Sequence, residues 1–148
     1  MYDDVADILI SVDDRHVQNM LNGTKKVELR RRAISVKEGS RVWIYSKIPT
    51  GKLRASGIVQ QVYRAAPQDI WEKYGNLSGI SKNEFDLYFS EKADGCAIVF
   101  DNIDELENQI TLRAIRDSIG KFHPPQFFKY LNSGSPELEL FNKTNCFA

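Results

Sequence analysis

The sequence predicts an α+β domain: a small twisted, mostly closed β-barrel of about five or six strands, with helices packed around its rim. Three observations carry that expectation. Five runs read as strands, at residues 8–12, 26–31, 41–47, 53–63 and 96–100, by continuous apolar content or by alternation. Short stretches with helix start and stop signals fall between and after them. The chain of 148 residues is one domain's worth, long enough for a real core.

Residues 8–12 are apolar and β-branched, as a buried strand requires. Asp13 or Asp14 can cap the helix that follows, in which Val17, Met20 and Leu21 share a face. Asn22-Gly23 stops it, glycine being able to take positive φ. His16 lies in this helix and reads as a surface or partly packed residue. The next stretch, GTKKVELRRR over residues 23–32, holds five cations and one carboxylate, Glu28. As a strand, it turns Val27 and Leu29 into a core and sets Lys26, Glu28 and Arg30 along the opposite face. A carboxylate between cations stays ionised and orients both cationic heads. Such a row reads either as a solvated strand face laced with weak ion pairs or as a dock for an anion, with Arg30 as the guanidinium fork.

Lys37-Glu38-Gly39-Ser40 makes a turn. In the run at 41–47, Val42 and Ile44 alternate with Trp43 and Tyr45, two aromatics that serve equally as core or as a stacking surface. Pro49-Thr50-Gly51-Lys52 is a loop. Gly57 marks a bulge or a close approach in the long strand at 53–63. Residues 67–74 open with Pro67 and read as a helix with Trp71 on its apolar side. Ser81-x-x-Glu84 is a capping box for a helix through residue 89, where Glu84 has a capping role. Residues 96–100 (CAIVF) are a buried strand. Residues 101–108 read as an acidic, solvated turn, and 111–119 as a helix stopped by Gly120. Pro124-Pro125 is expected to open a last helix at 126–131, with Phe127, Phe128 and Tyr130 lidding a core. From residue 132 the chain reads as a loosely held tail that Leu138, Leu140 and Phe141 could dock.

Twenty basic and twenty acidic residues cancel, which excludes a protein that clings to nucleic acid by bulk charge. Charge is segregated locally instead, basic over 25–52 and acidic over 100–107. The two cysteines, Cys96 and Cys146, have neither metal-ligand spacing nor a disulfide framework, and no metal or cofactor is expected. The N-terminal residues lack a secretory pattern and no run is long enough to span a bilayer, so a reducing cytoplasm is the expectation. The oligomeric state is left open.

Gly23-x-Lys25-x-x-Glu28-x-Arg30 resembles the G-x-K-x-x-E-x-R signature of the ASCH domain, a relative of the PUA fold found in RNA-modifying enzymes. His123-Pro124-Pro125-Gln126-Phe127-Phe128 resembles the proline pair of longer ASCH proteins, in which serine follows the glutamine. Phe127 departs from that pattern. The resemblance covers nearly the whole chain, implying a single PUA-like domain over 1–148. It implies a ligand cleft walled by the motif strand and the 49–52 loop. Gly23, Lys25, Lys26, Glu28, Arg30, Tyr45, Lys47, Lys52 and Arg54 become the candidate ligand-binding residues. Binding of RNA, single-stranded nucleic acid or a modified nucleotide or nucleoside is the first function it implies. Hydrolysis of such a substrate without metal is the second, since ASCH relatives include an amidohydrolase acting on acetylated cytidine and members that cut single-stranded RNA. A protein-interaction domain is the third. For hydrolysis, Lys25 is the candidate base, with Glu28 activating water. Glu28 stands where the amidohydrolase relative has its threonine, and a glutamate near the helix containing Glu84 is where the third member of that relative's site would lie.

Overall fold

In the computed structural model, which describes residues 7–146, six strands form one curled sheet in the order β2-β5-β4-β3-β1-β6. They are β1 (Asp7–Val12), β2 (Val27–Arg30), β3 (Arg41–Ser46), β4 (Lys52–Ala65), β5 (Gly95–Thr111) and β6 (Phe128–Leu131). The helices are α1 (Asp14–Leu21), α2 (Pro67–Tyr74), α3 (Lys82–Tyr88), α4 (Leu112–Ile119) and α5 (Pro136–Thr144). This is the predicted α+β twisted barrel, curled to a half-barrel. β1 runs parallel to β3, and every other pairing is antiparallel. Register shifts in β4–β5, such as the one between Ile58 and Val59, let these long strands bend round. A Cβ on Gly57 would come within 2.9 Å of the Asn102 carbonyl, the close approach that the glycine predicts.

Both faces of the central strands are covered, and this decides the fate of several side chains. Ile8, Ile10, Val42, Ile44 and Phe100 fill the concave side under α1, which contributes Val17 and Met20. On the convex side, Leu9, Trp43, Tyr45 and Leu53 pack beneath α4 and α5 against Ile115, Phe122 and Phe141. A third cluster joins Val27 and Leu29 to Ile70, Phe85 and Phe89 of the α2–α3 region. Trp43 and Tyr45 are therefore core residues, at 0% and 1% exposure.

Three expectations are corrected. Residues 101–108 continue β5 as a strand rather than a turn. Their backbone pairs with β4, Leu106 is buried, and the acidic side chains stand out in solvent. Residues 128–131 form β6 rather than a helix, because the free edge of β1 takes their backbone hydrogen bonds. Over its described residues, 132–146, the C-terminal stretch is no loose tail, residues 147–148 lying outside the described ones: Ser135 caps α5 through Leu138 N–H, Pro136 occupies the first turn, and Phe141 is fully buried against Trp43.

Candidate functional site

Where β2 faces the start of α1 and the body of α3, the sheet leaves a cleft of about 440 Å³. Its floor comes from the charged motif, but not in the expected register. β2 begins only at Val27, so alternation does not extend back to Lys26. Lys26 is exposed and lines a different, smaller concavity beside Asp101 and Asp104. Lys25 instead turns inward, 2% exposed, where its Nζ donates to the Ser78 carbonyl at 2.6 Å and stands 3.9 Å from Glu28 Oε1. Gly79 makes room for it. At φ +73° it takes a left-handed conformation, and any Cβ there would press on Lys25 Cβ at 2.9 Å.

Glu28 is 7% exposed, and Arg30 holds its other oxygen at 2.9 Å. The same guanidinium donates to the carbonyls of Phe127 at 2.9 Å and Ser11 at 3.3 Å. Arg30 thus sews β2 to β1 and to the residue preceding β6, across the open side of the half-barrel. It is a structural seam as well as a wall of the cleft.

α1 and α3 supply the opposite wall. Arg15 grips Glu84 with both guanidinium nitrogens, spanning 69 positions of chain. His16 lies beneath, with its Nε2 3.4 Å from Arg15 Nη2 and its buried Nδ1 without a hydrogen-bond partner among the described residues. Tyr88 donates its hydroxyl to the Leu29 carbonyl at 3.0 Å. Ile80 and Leu87 add an apolar flank, and Lys47 stands half exposed at the rim. Burial pushes the Lys25 ammonium below the ordinary lysine value, only partly opposed by Glu28. Burial also lowers His16, helped by the charge on Lys25, and raises Tyr88. The Arg15 hydrogen bond holds Glu84 below the usual carboxylate range. The cleft therefore offers a lysine with an enlarged uncharged fraction, beside a carboxylate that two cations orient.

Of the candidates from the sequence, Lys25, Glu28, Arg30 and Lys47 meet here and the others do not. Gly23, at φ +89°, ends α1 as a helix stop and is exposed outside the cleft. Tyr45 is sealed in the core, edge-on to Phe122, and presents no face to a ligand. Arg54 is spent holding α1 to the sheet, through Asp14 at 2.9 Å and Glu105 at 3.4 Å. Lys52 opens β4 and does not reach the cleft, so the 49–52 loop is not its second wall. Glu84 does receive the predicted cap, its N–H donating to Ser81 Oγ at 3.1 Å, but its carboxylate belongs to Arg15 and the cleft. His16, Arg15 and Tyr88 were not legible as site residues. Among the described residues no His, Cys, Asp and Glu gather as a metal site, and no helix is long and apolar enough to cross a membrane.

An ASCH domain-containing ribonuclease from Zymomonas mobilis is 23% identical over 128 residues, covering 86% of each chain. The crystal structure of the ASCH protein from Zymomonas mobilis superposes with a TM-score of 0.85 at 22% identity, covering 94% of this chain and 96% of that one. Large ribosomal subunit protein uL22 of Ureaplasma parvum is 27% identical over 124 residues, and there the match spans only 39% of the relative's length. A family model described as a domain of unknown function, DUF365, matches residues 5–122. The chain belongs to that family and has the fold of the Zymomonas mobilis ASCH protein.

Proposed function

We propose that this domain binds RNA, or a modified nucleotide derived from it, in the cleft between β2, α1 and α3. The observation that carries this reading is the cluster of Lys25, Glu28 and Arg30 on the floor of a 440 Å³ cleft, with the half-exposed Lys47 at its rim. Lys47 supplies a phosphate contact from a solvated position, so the bond is gained without first burying a charge. Ile80 and Leu87 accept the flat apolar face of a base. Glu28, aimed by its cations, accepts a hydrogen bond from an exocyclic amino group. Likeness to a ribonuclease supports RNA as the polymer. In a fluorescence-anisotropy titration with short single-stranded RNA, Lys47→Ala should weaken binding alike across sequences and reduce the salt slope by about one. Lys52→Ala should leave both unchanged. Unaltered affinity in Lys47→Ala would refute the cleft as the binding site.

The environment of Lys25 favours a second reading, cleavage of the bound strand. An uncharged Lys25 keeps an N–H on the Ser78 carbonyl and has a lone pair free to take a proton. That proton comes from a ribose 2′-hydroxyl, whose oxygen then attacks the adjacent phosphorus. The bond from phosphorus to the 5′-oxygen breaks, and the departing oxygen takes a proton from water. The products are a cyclic phosphate end and a 5′-hydroxyl end. Turnover of a short RNA in EDTA should fall about 100-fold or more in Lys25→Met. Product formation at the parent rate would exclude Lys25 as the base.

A further inference from the structure

Phe127 sits immediately outside the cleft, because the guanidinium that holds Glu28 inside it also holds the Phe127 carbonyl, each at 2.9 Å. Phe127 is 46% exposed as a residue. Arg32 lies over that ring, its Cζ 4.3 Å from the centroid. Nearby, Arg31 opens into a separate concavity that it shares with Arg64 and Asp94. Among the described residues, neither Arg31 nor Arg32 is engaged in an ion pair. A guanidinium stacked on a phenyl ring offers a flat face for a base while its N–H edge stays available to a phosphate.

We propose that Arg32 and Phe127 form a second nucleotide subsite, onto which single-stranded RNA passes as it leaves the cleft. This rests on the RNA-binding reading above. The ligand of the domain is then a strand of several nucleotides, not a lone nucleoside. A duplex hides its base faces, and an acidic peptide would match the charge but leave the stacked pair unused. Substituting Phe127 leaves its backbone carbonyl, and so the bond to Arg30, in place.

The test compares labelled di-adenylate and octa-adenylate on the whole chain. Phe127→Ser and Arg32→Gln should each weaken octa-adenylate binding about 5-fold or more, as loss of one stacked base does, while di-adenylate binding holds. Phe127→Tyr should restore the affinity, and thermal melting should show every variant folded. If Lys47→Ala proves neutral while the Arg32 and Phe127 variants still lose the octamer, the cleft reading falls and this subsite stands. Unchanged octamer affinity in a variant carrying both Arg32→Gln and Phe127→Ser would overturn the subsite. So would equal losses for dimer and octamer, or poly-glutamate competing as well as unlabelled octa-adenylate.

Discussion

Arg30→Met removes a side chain that holds three partners at once. Arg30 and Glu28 side chains are 15% and 10% exposed, so their contact is made largely out of water. The substitution deletes the bond to Glu28 at 2.9 Å and those to the Phe127 and Ser11 carbonyls at 2.9 and 3.3 Å. Glu28 would keep only Lys25, 3.9 Å away and beyond hydrogen-bond reach. Stripping one partner from a buried pair costs about 3–5 kcal/mol. The surviving charge on Lys25 places the expected loss near the lower end, about 3 kcal/mol. For a chain of this size, that lowers the melting temperature by about 6–12 °C. Replacing both members, as Arg30→Met with Glu28→Gln, leaves no uncompensated carboxylate and should recover at least about 1 kcal/mol of that loss. Urea unfolding of the two single variants and the double variant closes the cycle. A single variant within about 1 kcal/mol of the parent, or strictly additive losses, would refute the seam.

Lys25 and α5 yield two further tests. Because folding lowers the Lys25 pKa, the folded state holds fewer protons than the unfolded one between the lowered value and the ordinary lysine value of 10.5. Stability should therefore climb with pH through that interval, the cost of the buried charge being fully present below it. Urea midpoints should show this climb in the parent protein and its absence in Lys25→Met, whereas parallel profiles would contradict the burial argument. Phe141→Ala should cost about 3–5 kcal/mol and perturb Trp43 fluorescence, the two rings lying 5.3 Å apart. A loss under about 1 kcal/mol would mean that α5 is not anchored by this ring.

Much of the scaffold could be read because its signals are local. Four of the five residues at 8–12 are apolar, and Pro67 and Ser81 mark the starts of α2 and α3 as they should. What failed were elements settled by partners distant in sequence. Nothing within 101–108 says strand. β4 makes it one by offering a long complementary edge. The tyrosine at 45 alternates like a half-exposed residue, yet α4 and α5 cover the face that it occupies. The 128–131 segment was likewise claimed by the edge of β1.

The candidate site divides the same way. Lys25, Glu28 and Arg30 were legible because their spacing carries a charge pattern and a family signature. Arg15 and Glu84 lie 69 positions apart, and their pairing exists only once α1 and α3 are set beside the sheet. His16 stands next to the apolar face of α1 and looks unremarkable until Lys25 is buried nearby. Lys26 lies off the row of Glu28 and Arg30, since β2 starts one residue later than the charge alternation suggests.

Amide chemical shifts, followed during titration with a short single-stranded RNA, test the central claim most directly. The account predicts saturable shifts at residues 13–16, 25–30, 47 and 84–88, which surround the cleft, and quiet amides at Lys52, Arg54 and along 101–108. Shifts centred on those latter residues, or no saturable shift at all, would contradict it.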